Sequence, residues 1–239
     1  VLSILLYGCR KESTKYYRGY SNSFVIAYYP ITEIESYSSN GRIVLLAKVS
    51  PYFKDYYGAM SRDEAGRAKY LAKCEKYGDN GYWQEFLYDE YTMMPSAFQD
   101  RDFVSINVVS NADYDAEHPA GTPLNDVFKF YATSPIKFIK RGYKDKYEWP
   151  DYNDRSPYFQ TYFDFNMYHG YKGDPIEGLI SELTSDDLIL LGGGDKHPRR
   201  ALGVIAPIKE PTIAKSHVIT VTFTDDEGRT LSASRALVF

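Results

Sequence analysis

Apolar and polar positions alternate most regularly near the end of the chain. Over 218–224, Ile219, Val221 and Phe223 fall on one side and Thr220, Thr222 and Thr224 on the other. Asp225-Asp226-Glu227-Gly228 breaks the pattern, and Leu231, Ala233, Leu237 and Phe239 resume it. A period of two with one polar side predicts an antiparallel hairpin with one wet face, because successive strand side chains point to opposite faces. Arg235 interrupts the apolar side and predicts a strand near a sheet edge or end. A second hairpin is predicted over 31–37 and 42–49, around Ser38-Ser39-Asn40-Gly41. Asn-Gly tolerates the positive φ that a two-residue hairpin turn demands.

Residues 23–29 (SFVIAYY) and 103–110 (FVSINVVS) read as strands, the first stopped by Pro30. Shorter strands are predicted at 127–131, 135–140, 159–165 (FQTYFDF) and 188–191, while 198–211 reads as a loop around 202–205. Residues 81–94 fit either strand or helix. One helix is predicted over 62–77, with Ser61 and Glu64 as a capping box, Ala65, Ala68, Leu71 and Ala72 as its apolar spacing, and Gly78 as its C-cap. Cys74 inside it reads as a small hydrophobe. The expected fold is mainly β: an antiparallel β-sandwich-like domain over 23–239, with that helix inserted and long aromatic-rich loops. A strictly parallel α/β fold is disfavoured because strands do not alternate with helical patterns.

The first nine residues, VLSILLYGC, form an apolar run closed by Gly8 and Cys9. It is too short to span a bilayer as a helix, which takes about 20 residues. Leu6-Tyr7-Gly8-Cys9 resembles the bacterial lipobox at the end of a shortened export signal. The resemblance implies lipid attachment at Cys9, membrane anchoring, and an address in the bacterial cell envelope, at the outer membrane. Residues 10–22 are polar and predict a flexible tether between Cys9 and the domain. Arg10-Lys11-Glu12 resembles a surface-export signal without its usual acidic pair, which leaves the periplasmic and surface faces both open.

Ser105-Ile106-Asn107-Val108-Val109-Ser110, then His118-Pro119-Ala120-Gly121-Thr122-Pro123-Leu124-Asn125-Asp126-Val127-Phe128, resembles a family of uncharacterised Bacteroides-type cell-envelope lipoproteins, a domain of unknown function. The resemblance implies an envelope address and no activity, and it carries over no functional residue.

The formal net charge of −4, with a pI near 5.6 and no basic run, gives no footprint for nucleic acid. If Cys9 is acylated, Cys74 stands alone and no internal disulfide forms. Asn111, Asp113, Asp115 and Glu117 alternate as calcium-loop oxygens do, but Ala116 and Thr122 stand where the loop needs Gly and Glu. His118, His169, His197 and His217 show no metal-ligand spacing. Gly192-Gly193-Gly194-Asp195-Lys196 lacks the phosphate-loop spacing. No metal or cofactor is expected. Glu148, Asp151 and Asp164 are carboxylates among aromatics, which keeps a glycan hydrolase open as a minor alternative.

The 24 tyrosines set the chain apart, and many crowd one region. Tyr147, Trp149, Tyr152, Tyr158, Phe159, Tyr162, Tyr168 and Tyr171 lie beside Asp151, Asn153, Asp154 and Arg155. Such rings either stack on sugars or a protein partner, or pack the loops onto the sheet. The expected function is a non-catalytic surface binding or adhesion module for glycan or protein, with Tyr147, Trp149, Tyr152, Tyr158 and Tyr162 as ligand-binding residues. The alternative is a structural subunit of an envelope complex, pairing through a sheet edge at 230–239.

Overall fold

Both predicted hairpins form. In the protein's computed structural model, which describes residues 17–49, 56–88, 97–165, 173–192 and 199–239, Asn40 and Gly41 take φ of 51° and 73°. They join β3 (Ile31–Ser39) to β4 (Arg42–Val49), and the 226–229 turn joins β12 (Ser216–Asp225) to β13 (Thr230–Val238). Cys9, Tyr168, Tyr171, His169, His197 and residues 193–196 lie outside the described residues.

The remaining strands are β1 (Tyr17–Ser21), β2 (Ala27–Tyr29), β5 (Tyr57–Gly58), β6 (Gln84–Tyr88), β7 (Ala97–Gln99), β8 (Phe103–Ser110), β9 (Phe128–Ser134), β10 (Asp174–Leu179) and β11 (Arg199–Pro207). The helices are α1 (Glu64–Tyr77), α2 (Ile136–Lys140) and α3 (Pro157–Asp164). A five-stranded sheet runs β10-β9-β11-β4-β3, and a three-stranded sheet runs β13-β12-β8. Two smaller sheets, β5-β2-β7 and β1-β6, complete the described strands. Every pairing is antiparallel except β2 with β7.

The fold is mainly β and sandwich-like. The two larger sheets face each other through Phe223 of β12, whose ring lies 6.3 Å from Phe130 of β9 and 4.8 Å from Phe103 of β8. α3 covers the other face of the five-stranded sheet, where Tyr158 stacks on Tyr131 at 4.2 Å. Burial on both faces explains why β4 reads Ile43-Val44-Leu45-Leu46-Ala47 without alternation, all five residues being buried. A smaller core gathers Phe24, Tyr28, Tyr70, Cys74, Tyr77, Phe98 and Phe138 between α1, α2 and β2.

Several predicted elements differ. Residues 159–165 are helical rather than extended: Ser156 caps α3, Pro157 opens it, and Phe159, Tyr162 and Phe163 share its buried face. Of residues 135–140, predicted as a strand, Ile136–Lys140 form α2, with Pro135 as its N-cap. Residues 185–188 make a 3-10 turn, and Leu190 follows at φ 55°. Residues 199–207 are no loop: β11 lies between β4 and β9, with a bulge between Ala201 and Gly203. The tether expected over 10–22 gives way to β1 from Tyr17 onward, because β1 pairs with β6.

Helix α1 starts at Glu64 with Asp63 as its N-cap, accepting from Gly66 N at 2.6 Å, while Ser61 Oγ accepts from Gly58 N. Its buried stripe is Gly66, Tyr70, Cys74 and Tyr77, and Ala65, Ala68, Leu71 and Ala72 face outward. The tyrosines win the inner face because their hydroxyls find partners there: Tyr70 donates to Val25 O, and Tyr77 meets Asp102. The edge of β13 is not bare either. It runs beside β3, and Ser36 Oγ donates to Ser234 O at 2.9 Å.

Candidate ligand-binding surface

The aromatic segment around 147–162 is mostly packing. Tyr162 is fully buried, with its hydroxyl 3.0 Å from Thr133 Oγ1, so its ring is closed to any ligand. This corrects its assignment as a ligand-binding residue. Tyr162 lies with Phe159 and Phe163 on the buried face of α3, the face that packs on the sheet. Tyr158 spends one face on Tyr131, and the Arg42 guanidinium lies 4.6 Å from the ring centre. Trp149 meets Phe159 at 4.9 Å and Phe163 at 5.0 Å, and its Nε1 donates to Gly173 O at 3.0 Å. Tyr147 rests edge-on against Trp149 at 4.9 Å. Tyr152 donates to Asp164 Oδ1 at 2.6 Å, which pushes its hydroxyl pKa up. Of the five residues, Tyr147 and Tyr152 alone keep broad exposed surface.

Broader exposed rings stand on the β1–β6 ribbon. Trp83 is 67 % exposed and Tyr20 is 56 % exposed, and their centroids lie 6.3 Å apart with the planes 30° from each other. Strand parity puts them there. Gly19 and Ser21 turn inward, Gly19 beneath the Phe86 ring with no room for a Cβ, so Tyr20 must turn outward. Trp83 lies just before β6, two positions from Glu85, which pairs with Tyr20. Tyr82 N donates to Asn22 O at 2.8 Å and Gln84 Nε2 to Ser23 and Phe24 carbonyls, so the segment carrying Trp83 is pinned on both sides.

Beside this pair runs a groove of about 550 Å³ between β1 and α1, lined by Tyr20, Ser21, Asn22, Ser23, Arg67, Tyr70, Leu71, Cys74, Glu75 and Asn80. Its floor is fixed: Ser21 Oγ lies 3.1 Å from the Tyr70 hydroxyl. Burial pushes the Cys74 thiol up, so it is no ready nucleophile. Leu71, 53 % exposed, and Arg67 and Glu75 rise from α1 on one wall. Aromatic faces beside amide, guanidinium and carboxylate groups suit a ligand with apolar faces and polar edges.

Several other groups singled out in the sequence have local partners. Asp113 accepts from Ala120 N, and Asn111 Oδ1 from Val218 N. Asp115 accepts from Glu117 N and His118 N and pairs with Lys209 at 2.8 Å. His217 sits between Ser110 Oγ and Ala214 O. Among the described residues no helix is long and apolar enough to cross a membrane. Comparison with protein-family models, with curated proteins and with solved structures finds no match to this chain.

Proposed function

We propose that this chain is a non-catalytic recognition module of the bacterial cell envelope, lipid-anchored through Cys9, that binds glycan at the Tyr20–Trp83 groove. The exposed Tyr20–Trp83 pair is the observation that carries the reading. Leaving two large rings this open costs apolar hydration, and a pyranose ring offers the matching apolar face. The groove supplies the second half of sugar recognition. Asn22, Arg67, Glu75 and Asn80 are donors and acceptors for hydroxyls at the ring edge. The lipobox resemblance supplies the envelope address.

The test is saturable binding of the full chain to a panel of envelope and host polysaccharides, with Trp83→Ala, Tyr20→Ala and Trp149→Ala in parallel. The expected result is binding that Trp83→Ala weakens by roughly 1 kcal/mol or more, as loss of a central aromatic anchor does. Binding lost with Trp149→Ala and kept with Trp83→Ala would move the site to the 147–162 face. No saturable binding to any polysaccharide would reject glycan recognition.

A further inference from the structure

A second cleft, of about 350 Å³, opens where four segments converge. Lys69, Ala72, Lys73 and Lys76 line one wall from a single face of α1, at spacings of three and four. Asp100, Arg101 and Asp102 form the next wall, just after β7. This segment is held to main-chain carbonyls: Asp100 N donates to Tyr29 O at 3.0 Å, and the Arg101 side-chain Nε to Ile31 O at 3.1 Å. Asp226, Glu227 and Arg229 come from the β12–β13 turn, and Tyr57 of β5 closes one end.

Nearly every charge in this cleft is matched within it. Asp102, almost fully buried, pairs with Lys73 at 3.1 Å and Lys76 at 2.6 Å and meets the Tyr77 hydroxyl. Burial opposes its ionisation, but those hydrogen bonds outweigh burial and hold its carboxyl below the usual range. Lys76 also reaches Asp226 at 2.9 Å. Asp225 beneath the turn takes Arg101 at 2.9 Å and Arg229 at 2.8 Å, and Arg229 also takes Glu227 at 2.8 Å. Two groups are left without an ion pair among the described residues. The Asp100 carboxylate forms no ion pair, and burial pushes its carboxyl up against the pull of Lys73, the Ile31 amide, Arg101 and Lys69. Lys69 rests its ammonium 5.3 Å from the Tyr57 ring centre and acts on Asp100 through its charge, but among the described residues it forms no ion pair. One unpaired anion and one unpaired cation line the same cavity, with an aromatic face between β5 and α1.

We propose that this cleft binds a small zwitterion of the amino-acid or dipeptide type, its ammonium on Asp100 and its carboxylate on Lys69. An ion of either sign alone would satisfy one wall and repel the other; a zwitterion neutralises both. The volume sits at the small end of ligand pockets and suits one or two residues of that kind. The inference is independent of glycan recognition, since it shares no residue with the Tyr20–Trp83 groove.

The experiment is calorimetric and NMR titration of the full chain with the free amino acids and glycylglycine. Controls are N-acetylglycine, which lacks the ammonium, and glycinamide, which lacks the carboxylate. At least one free amino acid or glycylglycine is expected to saturate the cleft. Its N-acetylated and amidated forms, and the variants Asp100→Asn and Lys69→Gln, are each expected to bind about ten-fold more weakly or worse, for loss of a charge-assisted hydrogen bond. Trp83→Ala is expected to leave this binding unchanged. No saturation by any zwitterion overturns the proposal. So does binding that survives acetylation and amidation, a result that needs no variant to fold.

Discussion

Asp79 is the buried group on which the junction of α1, β2 and the 141–143 turn depends. It is 0 % exposed and follows the Gly78 C-cap, its own N–H donating back to Cys74 O at 2.8 Å. Its Oδ1 accepts from Phe24 N at 2.6 Å and from the Tyr143 hydroxyl at 2.9 Å, and its Oδ2 accepts from Val25 N at 2.8 Å. Asp79→Ala strands the Phe24 and Val25 amides with no acceptor. Each buried orphan costs about 1–3 kcal/mol, while half-buried Tyr143 can turn to water, so the variant is expected to lose about 3 kcal/mol. Asp79→Asn keeps one acceptor oxygen and is expected to lose about 1–2 kcal/mol. The two variants are ranked by urea denaturation, reading the midpoint at unchanged slope. A pH series adds a signature. Burial raises the Asp79 carboxyl above its ordinary value, more than the Val25 and Phe24 amides and Tyr143 lower it. A carboxyl raised in the folded state loses stability as pH climbs from its unfolded to its folded value. Wild type therefore gains on Asp79→Asn as pH falls through that interval. Asp79→Ala within about 0.5 kcal/mol of wild type, the range of an ordinary surface change, would refute the reasoning.

Trp149→Ala is expected to lower stability by about 2–4 kcal/mol through lost contact with Phe159 and Phe163, and Trp83→Ala by no more than about 0.5 kcal/mol; thermal unfolding showing the reverse order would refute both placements. Gly203→Ala puts a Cβ into the Phe130 ring at the β11 bulge and is expected to cost about 1–3 kcal/mol, part of it regained in Gly203→Ala/Phe130→Leu; a cost unchanged by Phe130→Leu would show that the ring is not the obstacle. His118 Nδ1 lies 2.7 Å from Asp115 Oδ1 and Nε2 lies 3.1 Å from Asp126 Oδ1. Burial lowers its pKa, but the Asp115 hydrogen bond and both carboxylate charges outweigh burial and raise it. Its stabilisation is thus complete below about pH 6.5 and lost as pH rises through the higher folded value; His118→Gln is expected to abolish that decline, and identical stability–pH curves for both proteins would reject the ion pairs.

What the chain spells out locally survives into the fold, and what depends on distant partners does not. Asn40-Gly41 and the 218–224 alternation carry their own geometry, so both hairpins were legible. β11 was not, because 198–211 reads as a loop until β4 and β9 flank it. The 159–165 run alternates like a strand, yet Ser156 and Pro157 before it already spell a helix start, and that signal outranks the alternation because it satisfies backbone amides. The same division governs the surfaces. Tyr162 and Trp83 are equally aromatic in the sequence, and crowding made the 147–162 region the more conspicuous of the two. Crowding, however, is what rings do when they bury one another. Tyr20 and Trp83 stand apart from that cluster in polar settings, RGYSNS and NGYWQE, where few neighbours exist to cover them. A ring in a polar stretch rich in Ser, Asn and Gly is therefore the better mark of a surface anchor than a dense aromatic run. The charged cleft follows the same rule. Lys69, Lys73 and Lys76 share one helix face by spacing alone, but which lysine lacks a carboxylate emerges only when Asp102 and Asp226 arrive from elsewhere in the chain and claim the other two.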